Sequence, residues 1–155
     1  MKLSVIIIIM FVGIIALYLF YLISIYVKLE NRRSLILSKF EEIDKQIENK
    51  LELIKKLIEL ENNEELEKIR INLLNSISVN EKIKYTKELD SITRNIDSKS
   101  RKVKLLLKSI DDVNIKIDYA KEFYNESLYE YNIILSTKSG LIMKKIFKYN
   151  EYNTY

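Results

Sequence analysis

The chain has 155 residues, with 26 Lys and Arg against 22 Asp and Glu, a formal charge of +4. It contains no Pro, Cys, His or Trp and only two glycines, Gly13 and Gly140. Without Cys and His, a zinc site lacks its usual ligands, disulfides cannot form, and nucleophilic catalysis by thiol or imidazole has no residues to use. Phosphate-cradling loops need glycines close together, and turn-rich β architectures need Pro and Gly. The composition therefore points to an all-α chain, with no cofactor and no metal expected.

From Leu3 to Val27 no residue is charged, and most are Ile, Leu, Val, Phe or Tyr. As a helix this stretch spans roughly 38 Å, enough to cross a hydrocarbon core of about 30 Å with some tilt. A cleavable signal has a shorter apolar region and a small-residue cleavage site. Here Tyr18, Tyr21, Tyr26 and Lys28 stand where such a site would fall. The expectation is an uncleaved anchor with its tyrosines at the water interface. Lys2 precedes the span, and Lys28, Arg32, Arg33, Lys39 and Lys45 follow it. The positive-inside rule then puts the C-terminal part in the cytoplasm.

The residues after Lys28 are highly charged, with both signs interspersed. Glu41 and Lys45, Glu52 and Lys56, and Glu64 and Lys68 stand in the favourable helical order, Glu four residues before Lys. Ile36, Phe40, Ile43, Ile47, Leu51, Ile54 and Ile58 form an apolar seam that repeats after 11 residues, a period of about 3.67 per turn. A second seam runs through Leu106, Ile110, Val113, Ile117, Ala120, Tyr124, Leu128, Tyr131 and Leu135. Leu66, Ile69, Leu73 and Ile77 form a shorter stripe, and Ile83, Leu89, Ile92 and Ile96 a weaker one. Asn62-Asn63 is a candidate break, although Ile69 stays in phase with the first seam, which would let helix 1 run through. Ser78 to Glu81 fits a capping box. Gly140 suits a left-handed cap after Ser136. This predicts helices at 28–62, 64–78, 81–97 and 101–136, and leaves open whether 64–97 is one helix or two. The expected fold is an N-terminal transmembrane helix followed by a bundle of three to four long antiparallel helices. The organisation reads as a tail and anchor at 1–27, a soluble bundle at 28–140 and a short basic amphipathic tail at 141–155.

The run from Phe40 through Ile47, continued by Lys50 to Ile58, resembles the early helix of the LemA family: an aromatic, then Ile-Asp-x-Gln-Leu, then a basic residue and an apolar stretch. Tyr26, Leu29 and Arg33 fall where that family has Tyr-Asn-x-Leu and Arg after its membrane helix. Ile117 to Asn125 is similar to its Ile-x-x-Ala-Arg-x-x-Tyr-Asn, and Tyr131-Asn132 to its second Tyr-Asn. Gly140-Leu141 through Phe147 takes the place of its Phe-Pro-x-x-Leu segment. The likeness covers roughly residues 26 to 149. The family's prolines are absent, with Lys55 at the first site and Arg94-Asn95 near the second, which predicts longer helices here. The resemblance implies a bacterial, single-pass, membrane-anchored bundle of long antiparallel helices with no agreed enzymatic activity.

Several groups are candidates for function. Tyr124-Asn125 and Tyr131-Asn132, seven residues apart, share a helix face. They form either a partner-binding patch or core aromatics with Asn at the rim. Lys99, Arg101, Lys102, Lys104 and Lys108 form the densest basic run, read as a solvated face or a contact to anionic lipid. The low net charge and the lack of a base-stacking motif argue against nucleic acid. Leu141 to Tyr149, with Lys144, Lys145 and Lys148, reads as a segment lying on an anionic leaflet or as a cap on the bundle. The adjacent acids Asp111-Asp112 and Glu41-Glu42 point about 100° apart and do not converge. The resulting expectation is a membrane-anchored scaffold or protein-interaction module without catalysis, in contact with the bilayer through residues 3–27 and with a protein partner or a second copy. The alternative is a peripheral lipid-binding or envelope-remodelling protein that uses the basic run and the tail.

Overall fold

The computed structural model describes residues 3–149, Tyr152 and Thr154, and for Ser4, Val79 and Asn80 the backbone alone. Lys2, used above for orientation, and Asn150, Glu151, Asn153 and Tyr155 of the tail lie outside the described residues. The chain is all-α. Among the described residues there are five helices and no strand: α1 Leu3–Glu61, α2 Glu64–Leu74, α3 Val79–Arg94, α4 Arg101–Ser136 and α5 Lys138–Phe147. They belong to two compact units, one of Met1–Ile36 with Glu126–Asn153, the other of Leu37–Asn125 with Thr154–Tyr155.

Helix α1 runs unbroken through Lys55, where the resemblance places a proline. It does not run through Asn62-Asn63. Asn62 takes a left-handed conformation (φ 48°), which Asn tolerates better than most residues, and donates its N–H to the Ile58 carbonyl at 2.8 Å. Asn63 then caps α2, its side-chain oxygen accepting the Leu66 N–H at 3.0 Å. Glu64, Glu65 and Glu67 stand in the first turn of α2, where the helix dipole favours acids. The phase of Ile69 is thus no sign of continuity: Ile69 is buried on a different helix.

Residues 64–97 are two helices. At the start of α3 the Ser78 hydroxyl accepts the Glu81 N–H at 3.2 Å, and the Glu81 carboxylate accepts the Ser78 N–H at 3.4 Å, so the capping box is formed. Leu66, Ile69 and Leu73 are buried, whereas Ile77 lies past the end of α2 and is 96% exposed. In α3 the buried line is Thr86, Leu89 and Thr93 rather than the Ile stripe. The two threonine hydroxyls donate to the carbonyls of Lys82 and Asp90, which removes the penalty for burying them.

In the second unit, contacts fix the directions of α1, α3 and α4. Phe40 of α1 packs on Tyr124 of α4 with ring centroids 6.4 Å apart. Lys56 and Leu60 share a groove with Lys102, Leu105 and Leu106. Rising numbers on α1 meet falling numbers on α4, so the pair is antiparallel. Asp44 accepts from Lys82 at 2.8 Å and Lys50 reaches Asp90, so α3 runs parallel to α1. With α2 packed on α3, residues 37–125 form a helical bundle with antiparallel long helices.

A line of deeply buried positions on each long helix repeats every seven residues. On α1 they are Leu29, Ile36, Ile43, Lys50 and Leu57, none more than 1% exposed. On α4 they are Val103, Ile110, Ile117, Tyr124 and Tyr131. Counting apolar residues alone steps from Ile47 to Leu51 and passes over Lys50, which hides the heptad.

Gly140 is not the left-handed cap. It lies inside α5, no glycine has positive φ, and the left-handed residue is Lys148 (φ 52°). The side-chain oxygen of Thr137 caps α5 by accepting the Gly140 N–H at 3.0 Å. A Cβ on Gly140 would come within 1.9 Å of the Ile134 carbonyl oxygen. Glycine is present because α5 starts hard against the end of α4. Gly140→Ala forces that backbone apart, an overpacking cost of about 1–3 kcal/mol. The urea midpoint of the full chain in detergent should fall, and an unchanged midpoint would contradict the close approach.

Candidate functional site

In the first unit, α1 changes character at one point. The described side chains from Leu3 to Ser24 are exposed, Leu22 alone being half-buried. Ile25 is the first buried residue and Leu29 the next. The uncovered stretch is about 33 Å long, close to the thickness of a bilayer core.

An aromatic and charged collar forms where burial begins. Phe147, at the end of α5, tilts against Tyr26 of α1 with centroids 4.8 Å apart and against Tyr149 at 6.1 Å. The Tyr149 hydroxyl donates to the Glu30 carboxylate at 2.9 Å. Tyr131 of α4 meets Tyr149 edge-on at 6.2 Å and Tyr152 at 5.8 Å. Arg33 donates to the Tyr152 hydroxyl at 3.3 Å. Beside this cluster Arg32 pairs with Glu130 at 2.6 Å, in a groove that Lys28, Asn31, Ile133 and Ile134 complete. Burial raises the Tyr131 hydroxyl to about 12. Burial, and next the hydrogen bond to Glu30, raise that of Tyr149. Both phenols are therefore neutral anchors at ordinary pH. Their rings fill the collar while the Tyr149 hydroxyl is held by an acid, the usual division of a buried tyrosine.

The second unit contains a buried charge. Lys50 is 0% exposed and its ammonium donates to the Asp90 carboxylate at 2.5 Å. The same carboxylate oxygen accepts from the Asn114 amide at 2.8 Å. Burial lowers the Lys50 ammonium from its usual range, against the opposing pull of Asp90. Lys121 is lowered for the same reason, with Asp118 and Asp90 opposing. The arrangement ties α1, α3 and α4 at one level. Among the described residues no group of three or more acids is placed to hold a metal ion.

The residues singled out in the sequence fall as follows. Tyr124 and Tyr131 are buried, Asn125 is half-buried and Asn132 exposed. The two Tyr-Asn pairs belong to different units. Lys99, Arg101, Lys102 and Lys104 are exposed at the start of α4 in the second unit. Ser98 there donates to Glu61 at 2.9 Å, so the carboxyl end of α1 and its Glu59 and Glu61 stand at the cationic start of α4. Lys145 and Lys148 are exposed and Lys144 half-buried, all in the first unit. The basic run and the basic tail are thus not brought together within one unit. Asp111, Asp112 and Glu41 are exposed, and Glu42 pairs with Lys39 at 2.6 Å. Sequence reasoning missed Lys50, Asp90 and Asn114, and the Glu30–Tyr149 bond. For Lys50 the signal was its spacing, seven from both Ile43 and Leu57.

Asp90→Leu leaves Lys50 buried without its acid and should cost about 3–5 kcal/mol in urea unfolding. Lys50→Met keeps the volume and leaves Asp90 partly exposed and still bonded to Asn114, so it should cost less. Equal losses would contradict a buried pair. For Tyr131 the folded-state value lies above the unfolded one, so its contribution is present below pH 10. It is lost as pH rises through about 12. Tyr131→Phe should flatten that alkaline fall in stability, and an unaltered profile would contradict the assignment.

No family model matches the chain, and no curated protein matches it.

Proposed function

We propose that the chain is a single-pass protein of a bacterial cell membrane, held by residues 3–27, with a helical part that acts in the cytoplasm. That part works as a scaffold or protein-interaction module of the LemA type, without catalytic chemistry or a cofactor of its own. The observation that carries this reading is the uncovered apolar stretch of α1. Its residues from Val5 onward are long and apolar enough to cross a membrane, and none in the most apolar window is buried. At about 25 cal/mol per Å², leaving such a surface in water is strongly unfavourable, and a bilayer removes it from water.

The interaction role is supported by the second unit. Ile115, Tyr119 and Phe123 are large, exposed and spaced every four residues on α4. Lys39 stands 5.5 Å over the Phe123 ring. A stripe of this kind suits a helical partner or a second copy.

Because the chain has no Cys, Lys87→Cys in the exposed part of α3 gives a single label site. A membrane-impermeant maleimide should modify it in inside-out vesicles and leave it unmodified in right-side-out ones. The reverse pattern would contradict the cytoplasmic placement. A photo-crosslinking side chain at Tyr119 should capture a partner or a second copy in cells. Capture of neither would contradict the interaction role.

A further inference from the structure

Helix α5 combines three properties that the anchored-scaffold reading does not use. It is cationic: Lys138, Lys144 and Lys145 lie on it, Lys148 follows, and there is no acid from Ile133 to Tyr149. It has an apolar surface that the first unit leaves partly open, with Leu141 55%, Ile142 41% and Ile146 62% exposed. It is also held in place, with Met143 and Gly140 turned inward and Phe147 against Tyr26. Tyr26 follows directly on Ile25, where the uncovered stretch of α1 ends.

We propose that α5 lies on the anionic leaflet from which α1 emerges. Leu141, Ile142 and Ile146 enter the boundary between headgroups and acyl chains, and Lys144, Lys145 and Lys148 meet lipid phosphates. This rests on the reading of residues 3–27 as a membrane span. A helix with apolar residues on its outer side and lysines among and beside them is suited to that boundary, because lysine stems lie along apolar surface while the ammonium reaches the phosphates. The charge selects the occupant. A second copy would set lysines against lysines, whereas an anionic leaflet attracts each of them by about 1 kcal/mol, or about fivefold. The basic run of Lys99 to Lys104 belongs to the other unit.

The chain has no Trp, so one introduced indole reports alone. Ile146→Trp probes α5, and Ile8→Trp probes the uncovered stretch itself. Each full-length variant is reconstituted in vesicles of phosphatidylcholine, with and without phosphatidylglycerol. With the anionic lipid, emission from Ile146→Trp should shift to the blue. Bromine on lipid chains should quench it and acrylamide should not. Replacing Lys144, Lys145 and Lys148 by Gln should raise the anionic lipid required severalfold. Ile142→Trp repeats the test if Ile146→Trp does not fold. Acrylamide quenching of Ile146→Trp in both lipids, while bromine quenches Ile8→Trp, overturns the proposal and leaves the span intact. Equal blue shifts in both lipids overturn the role of the lysines. Shielding in detergent that grows with protein concentration assigns the face to a second copy and overturns it too. If bromine does not reach Ile8→Trp, the span itself fails, and the proposal with it.

Discussion

Everything in this molecule depends on a length of α1 that the rest of the described chain leaves bare. From Leu3 to Ser24 the helix presents Ile, Leu, Val, Phe and Tyr on all sides. Backbone hydrogen bonding is satisfied within the helix, so the segment needs no partner strand or helix for its polar groups. Its side chains do need an apolar surrounding. Only from Ile25 onward does the chain supply one, and there the aromatic collar begins. A change from no covered face to one covered face within a few residues is what a boundary between lipid and protein requires. Tyrosines on both sides of that point suit the same boundary.

Beyond it, the packing is set by heptads. In a bundle whose core positions repeat every seven residues, shifting one helix by a heptad leaves apolar contacts nearly as good as before. A polar residue at one core position removes that degeneracy, at some cost in stability. Lys50 occupies such a position, between Ile43 and Leu57, and finds its acid on α3 at Asp90. Asn114 of α4 joins the same oxygen. A shift of α3 or α4 past α1 would bury the Lys50 ammonium without a carboxylate, and that penalty exceeds what one displaced apolar pair returns.

Much of this was legible in the sequence. The lack of Pro and Cys, the apolar span and the two long seams carry the class of fold, and the Ser78–Glu81 spacing carries one helix start. The capping box is readable because it is local: two side chains, three residues apart, bonding each other's backbone. The Asn62 turn was visible as a place but not as an outcome, because Asn tolerates both helical and left-handed conformations. The chain takes the second. Lys50 was invisible because a period read from apolar residues excludes lysine by definition. Gly140 was misread because its reason is distance, the approach of α5 to Ile134, and distance across a turn leaves no mark in the sequence. The collar was missed for a related reason, since Glu30 and Tyr149 stand 119 residues apart.

The most direct test of the central claim measures depth along α1. Single cysteines placed from residue 5 to residue 40 in this cysteine-free chain carry nitroxide labels in reconstituted vesicles. Their collision rates with oxygen, which concentrates in the bilayer, and with a water-soluble nickel complex are then compared. The account predicts that oxygen dominates through the uncovered stretch, most strongly near its middle. Past Ile25, collisions should become helically periodic, low at Leu29 and Ile36 and rich in nickel on the outer face. Nickel access throughout residues 5 to 24, or protection there without oxygen enrichment, would contradict a membrane span and point to cover by protein.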